Sequence, residues 1–248
     1  MSKFTIMIES TRGIVLNYTR YAETSIVSHI YTEQFGLQSY MINQVRSRKN
    51  KGKTVFLQPL TLLDLEVYHS EKKTIHRIKD FKVSMPFMQV PFEAVRRGLA
   101  FFIAEVLNKA LKQEDKAVEG LFDFLHQSIS ILDGNLPGVH NFHLFLLFRL
   151  TRLLGFYPHF KDSDNCKFFD LKTGMFQVTE PVSQEYMNYV ETMILFQLQN
   201  IGIDELDQLT LCSEDRSSFI DKMLQYYHLH LSGFSNIKSF EVLKEVFR

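Results

Sequence analysis

The chain has 248 residues, 45% of them hydrophobic, and its 28 basic and 28 acidic side chains balance to zero net charge. That length allows one large domain or two ordinary ones with a substantial core, and the neutral balance excludes a protein that coats nucleic acid over its whole surface. Two cysteines, Cys166 and Cys212, are too few for a disulfide framework and fit a reduced cytoplasmic compartment. Residues 13–16, 25–32 and 37–44 are rich in Ile, Val, Tyr and Thr and predict three strands with short polar or Gly-containing joints. A longer run at 54–69 and another at 75–85 complete a set of five. Five short strands at this spacing predict a small barrel or sandwich, of which the OB-fold is the usual five-stranded case. Pro86 and Pro91 mark a change of domain, giving a barrel domain over 1–85 and a helical domain over 86–248.

Beyond Phe92 the apolar period becomes helical. Phe101, Phe102, Val106 and Leu107 predict a helix over 92–111, and Leu121, Phe122, Leu125, Ile129 and Leu132 predict another over 119–132. Gly134 stands where a left-handed C-terminal residue is wanted. Asn141 is placed to cap a helix running to Leu154, with Gly155 behind it. That apolar stretch carries Arg149 and Arg152 and is too short to span a bilayer. Helices are predicted over 183–201, over 213–231 with Ser213 as the cap and Glu214 and Asp215 in its first turn, and over 237–247. Between them, 166–178 reads as a β-hairpin turning at Thr173-Gly174, the centre of a small insertion at about 159–180. The N-terminal run MSKFTIMIES is interrupted by Glu9 and has no small-residue cleavage site, so no signal peptide is expected.

The densest charge feature is the segment 46–53, where Arg46, Arg48, Lys49, Lys51 and Lys53 stand together and no carboxylate lies between Glu33 and Asp64. A basic connection mounted on a small barrel is suited to holding a phosphate backbone, although the same run fits a solvated hairpin loop. Tyr40 and Phe56 on nearby strands are either stacking platforms for unpaired bases or core rings. The string Gly52-Lys53-Thr54 does not make a phosphate loop: Ser47 stands where the first Gly is needed, and Val55-Phe56-Leu57 reads as strand. Cys166 has no partner at two-residue spacing, and His228 and His230 are two apart on a predicted helix, so no metal site is expected. No nucleophile elbow, HExxH helix or dinucleotide fingerprint is present, which points away from an enzyme. Arg149 and Arg152, sharing a face with Phe145, suit an acidic and hydrophobic peptide, and equally suit the one solvated stripe of a buried helix.

Taken together, these elements resemble the bacterial recombination-mediator family RecO over essentially the whole chain. The resemblance rests on Gly13-Ile14-Val15-Leu16, on Tyr21, Glu23, Ser25 and Val27 at alternate positions, on Thr32 and Gly36, and on the basic stretch at 45–49. Leu57-Gln58-Pro59-Leu60-Thr61 follows, then Leu121-Phe122-Asp123-Phe124-Leu125, Leu153-Leu154-Gly155-Phe156-Tyr157-Pro158, and a C-terminal YYHLHL…IKSFEVLKEVF of Bacteroidetes type. It implies an N-terminal OB-fold, a helical bundle and a small inserted module, in a non-enzymatic, cytoplasmic, nucleoid-associated protein of DNA repair and recombination. It implies binding and annealing of single- and double-stranded DNA, capture of the acidic tail of single-strand-binding protein (SSB), and action with RecR, and often RecF, to load RecA onto SSB-coated gaps. The family's basic barrel region carries over to Arg46, Arg48 and Lys49, with Lys51 and Lys53 beside them. Phe145, Arg149 and Arg152 are the candidates for the SSB tail, since Asn141 and His143 stand where some relatives have a basic residue. Many members hold zinc with four cysteines in the insertion. Here only Cys166 remains, and a hairpin core of Phe168, Phe169, Met175 and Phe176 is expected in place of the metal. The competing reading is a scaffold that binds SSB with little intrinsic DNA affinity.

Overall fold

A computed structural model describes residues 7–21, 23–43, 53–70, 73–114, 116–161 and 165–247. Five strands, β1 (Met7–Arg20), β2 (Ile26–Thr32), β3 (Gly36–Ile42), β4 (Leu62–His69) and β5 (Ile75–Met85), close a barrel in the order β1-β2-β3-β5-β4. β1 pairs antiparallel on both flanks, with β2 through Ile14↔Tyr31 and with β4 through Thr11↔Leu65. A short parallel contact, Ser39↔Ile75 to Met41↔Arg77, joins β3 to β5 and closes the ring. This is the OB-fold arrangement. Alternate residues point inward, and Val15, Ile26, Ile30, Tyr40, Leu63, Leu65 and Val67 fill the interior.

Two strand expectations need correction. β1 is far longer than 13–16, because a bulge between Val15 and Asn17 lets it continue and its polar first half pairs with β4. The run 54–69 is not one strand: Lys53–Leu57 is a 3-10 helix, and the strand starts only at Leu62. Pro59 lacks an amide and Leu60 takes a left-handed φ of 66°, so the chain turns there. Leu57 is fully buried and enters the barrel core from the 3-10 helix. Val55-Phe56-Leu57 is therefore not strand, but a five-residue 3-10 helix is no phosphate loop's helix either.

Six helices follow: α1 (Ala94–Ala110), α2 (Leu121–Leu132), α3 (Phe142–Leu153), α4 (Tyr189–Asn200), α5 (Ser213–His230) and α6 (Ser239–Val246). They are built on Leu99, Phe102, Ile103, Val106 and Leu107 of α1 and the apolar length of α3, each fully buried side chain contributing at most about 1.5–3 kcal/mol. Phe101 lies on the outer face of α1 and is 48% exposed, against the expectation that it packs. In the centre, Tyr227 donates its hydroxyl to the Leu147 carbonyl at 2.8 Å and Tyr226 to that of Phe156 at 2.7 Å.

Helix ends depart from the sequence signals. Gly134 is not left-handed. Asp133 ends α2, and its carboxylate turns away to accept the amides of Met88, Gln89 and Val90 at 2.7, 2.8 and 2.9 Å. Asn141 does not cap α3. A 3-10 turn precedes the helix, and its amide donates to the carbonyls of Leu206 and Leu209 while Oδ1 accepts from Arg216. The helix predicted from 183 starts at Tyr189, where Asn188 and Glu191 form a capping box. The cap of α5 is Cys212, whose Sγ accepts the Asp215 amide at 3.3 Å, and Ser213 is its first helical residue. Glu105 of α1 takes the same role for α6. It accepts the Lys238 and Ser239 amides and the Ser239 hydroxyl. Burial raises its pKa, but Lys109 and these donors outweigh burial and hold it down at about 2.

The insertion is a three-stranded sheet, β6 (Phe168–Asp170), β7 (Met175–Gln177) and β8 (Tyr186–Met187), in the order β7-β6-β8. The turn after β6 is held by Asp170, which accepts the amides of Lys172 and Thr173, and by Gly174 at a φ of +67°. Phe169 is buried and packs on Phe176, which stacks on Phe196 of α4 with centroids 4.8 Å apart. Met175 is 54% exposed and takes no part in that core, because it falls on the outer face of its strand.

Barrel and helices share one core, in which Ile14, Leu16, Tyr31, Leu60 and Leu62 pack with α1 residues. Tyr31 accepts the Val118 amide at 3.1 Å, and Arg12 joins Glu33 to Asp123 of α2. Gly36 has a φ of +66°, and a side chain there would lie 2.7 Å from the Lys116 backbone, so the β2–β3 turn fits closely under the helical part.

Candidate nucleic-acid interface

Closure of the barrel by β3 and β5 creates the site. Where the two strands run parallel, Met41 and Ile75–Arg77 lie side by side, and the end of β4 brings Tyr68 and Ser70 next to them. These residues and Lys73 line a cleft of about 560 Å³. Lys73 and Arg77 are exposed, and among the described residues no carboxylate lines the cleft. A cleft of similar size further along the β4–β5 ladder, about 510 Å³, is lined by Glu33, Asp64, Glu66 and Asp80 together with Arg12 and Lys82. Several of these acids are in ion pairs, Glu33 with Arg12, Glu66 with Lys79 and Asp64 with Lys82. Acids outnumber the lining cations there, whereas the charged groups among the described lining residues of the β3–β5 cleft are Lys73 and Arg77.

His76 on the wall of the cationic cleft belongs to a column of stacked rings. Phe35 stacks on His69 at 3.8 Å, His69 on His76 at 4.5 Å, and His76 leans on Tyr40 at 5.8 Å. His76 also pairs with Gln38 at 3.0 Å. Burial, then the charges of His69 and Lys73, push the His76 pKa below its usual value, so the positive field comes from Lys73 and Arg77. Tyr40 is fully buried as part of this column and is not a stacking platform, whereas Phe56 is 47% exposed.

Of the basic segment, Arg46, Arg48, Lys49 and Lys51 lie outside the described residues. Lys53 opens the 3-10 helix, and its side chain lies outside the description. Lys73 and Arg77 were missed by counting charge density. Their signal was the second basic joint, Lys72-Lys73-Thr74-Ile75-His76-Arg77, between the last two barrel strands.

On α3, Arg149 stands over Phe145 at 5.0 Å and donates to the Ile201 carbonyl at 2.9 Å. Arg152 does not join them: it is exposed and lies 5.9 Å from the Tyr157 ring. Phe145 is only 6% exposed. His228 and His230 each bond a backbone carbonyl, of Phe234 and of Leu171. Among the described residues no three His, Cys, Asp or Glu are grouped to hold a metal, and no helix is long and apolar enough to cross a membrane.

Comparison with known proteins agrees over nearly the whole chain. The family profile described as Recombination protein O N terminal matches residues 7–87, and Recombination protein O C terminal matches 92–239. The chain is 34% identical over 238 residues to the DNA repair protein RecO of Flavobacterium psychrophilum, covering 96% of this chain and 98% of that one. It is 35% identical over 242 residues to RecO of Phocaeicola vulgatus, covering 97% and 100%. Against RecO of Azobacteroides pseudotrichonymphae it is 32% identical over 243 residues, covering 97% and 100%.

Proposed function

The chain belongs to the RecO family of DNA repair proteins, and from that premise we propose that it is a non-enzymatic mediator of homologous recombination. It binds single- and double-stranded DNA through the barrel and anneals complementary strands. With RecR, and often RecF, it helps load RecA onto single strands coated by SSB. The observation that carries this reading is the cleft at the β3–β5 junction, where Lys73 and Arg77 are exposed and are the charged groups among the described lining residues, with His76 beside them. Arg46, Arg48, Lys49, Lys51 and Lys53 extend the cationic surface in sequence. Phosphate contacts are independent of base sequence and leave base edges free to pair, which annealing requires. The contacts also weaken with salt, so a held strand can be passed on.

The SSB tail is assigned to the end of α3, where Arg152 offers an exposed cation 5.9 Å from the Tyr157 ring, apart from Arg149 and the buried Phe145. One experiment separates the two surfaces. Lys73→Glu with Arg77→Glu should weaken a labelled single strand and flatten the slope of log affinity on log salt by about 1.4, at roughly 0.7 per lost phosphate contact. The same double variant should bind an SSB tail peptide as the native chain does. Arg152→Glu should show the reverse pattern. A native chain that binds the peptide and no DNA at low salt would favour the scaffold reading instead.

A further inference from the structure

Besides the cationic cleft the barrel carries an apolar one of about 400 Å³, between the 3-10 helix Lys53–Leu57 and α1. Its walls include Val55, Phe56, Val83, Phe87 and Phe101, and among the described residues the charged one on it is Arg97. Phe56 and Phe101 are 47% and 48% exposed. Two phenyl rings left half open to water on one cleft favour a ligand with a flat apolar face. The volume falls within the ~300–1,000 Å³ range of small-ligand clefts. Among the described residues no carboxylate lines it, and Arg97 donates Nη1 to the Pro91 carbonyl at 2.9 Å, which holds the guanidinium in place. The lining therefore favours an anion that also carries rings.

Position selects which anion. The wall bearing Phe56 continues directly from the basic segment 46–53 in sequence, with Lys53 three residues before Phe56. Phosphates held by that segment bring their bases to Phe56 and Phe101.

We infer that the apolar cleft is a base-binding subsite for single-stranded DNA, in which an unstacked base lies against Phe56 or Phe101 while Arg97 meets a neighbouring phosphate. The inference rests on the DNA-binding reading above and adds to it a reason for preferring unpaired strands: a base inside a duplex has no free face to offer. Stacking on a ring is tolerant of base identity, so the subsite does not impose a sequence.

The test compares an oligothymidylate of about 15 nucleotides with an abasic strand of the same length, by fluorescence anisotropy at several salt concentrations. The native chain should prefer the base-bearing strand by about 5- to 100-fold, the range for one stacked base. Phe56→Ala with Phe101→Ala should bind both strands alike, at the abasic affinity and with an unchanged salt slope. Phe56→Leu with Phe101→Leu keeps the apolar bulk and should lose the preference too, which separates stacking from a folding defect. Equal native affinity for the two strands, or a preference that survives both double variants, overturns the subsite and leaves the DNA-binding reading standing. If the native chain binds neither strand, both fall. Binding of an acidic peptide ending in Phe that the double variants lose, while the base preference persists, would assign the cleft to a protein partner.

Discussion

Asp133→Ala is expected to lower the unfolding free energy by about 4 kcal/mol, a large part of the ~5–15 kcal/mol available to a domain. Asp133 is buried at the end of α2, and its two oxygens accept three consecutive amides, those of Met88, Gln89 and Val90. That segment joins the end of β5 to the start of α1, so the carboxylate sets the connection between barrel and helices. Hydrogen bonds to a charged acceptor contribute about 1.5–3 kcal/mol each, and a buried amide left without a partner costs about 1–3. The Val90 amide is buried and has no water to turn to. Nearby, Arg96 donates to the Leu132 carbonyl and to Glu93, fastening the same helix end to the first turn of α1. Asp133→Asn keeps an acceptor oxygen and should cost roughly half as much. Urea unfolding followed by circular dichroism decides the matter, and a loss below about 1 kcal/mol for the Ala variant would mean that apolar packing alone fixes residues 86–91.

His143→Phe is expected to protect the protein against acid by up to roughly 4 kcal/mol. His143 is 1% exposed on α3, edge-on to Phe102 at 5.9 Å and stacked on Phe247 at 5.3 Å. Its Nδ1 has no hydrogen-bond partner among the described residues. Burial, then the charges of Arg216 and His140, push its pKa down from 6.5 to about 3. Between those values the unfolded chain takes up a proton that the folded chain refuses. The unfolded state binds more protons there, so stability falls as the pH drops, at about 1.4 kcal/mol per pH unit. The contribution is intact above pH 6.5 and is lost on approach to pH 3. Phenylalanine fits the ring site and cannot titrate, so the two chains should be similar near pH 8 and diverge steadily below pH 6. Glu105, held at about 2, also loses its contribution as pH falls below 4.5, but it does so in both chains and cancels from the comparison. Parallel acid limbs for the two chains would contradict the assignment.

The barrel was legible wherever alternation is clean. The strand predicted over 75–85 is β5 as found, and that at 25–32 differs from β2 by one residue. The run at 54–69 misled because a short apolar triplet has no period, and Leu57 is buried by a 3-10 helix as well as a strand would bury it. Helix existence was readable from spacing, but helix ends were not. Asn141 and Asp133 are drawn to tertiary partners, Asn141 to Leu206, Leu209 and Arg216 and Asp133 to the 88–90 amides, while the cap expected at Ser213 falls one residue earlier, on Cys212. The candidate interface was half legible. The cluster at 46–53 is visible as charge density, whereas Lys73 and Arg77 become a site only when parallel pairing sets β5 against β3. No pattern within one segment encodes that pairing.

The most direct test of the mediator account is the annealing of two complementary labelled strands precoated with SSB, followed by fluorescence transfer with and without the protein. The account predicts that the native chain speeds annealing. It also predicts that rising salt suppresses the effect, as screened phosphate contacts require, and that neutralising Lys73 and Arg77 together with Arg46, Arg48, Lys49, Lys51 and Lys53 abolishes it. Annealing no faster than with SSB alone, or an acceleration that the neutralised chain retains in full, would contradict it.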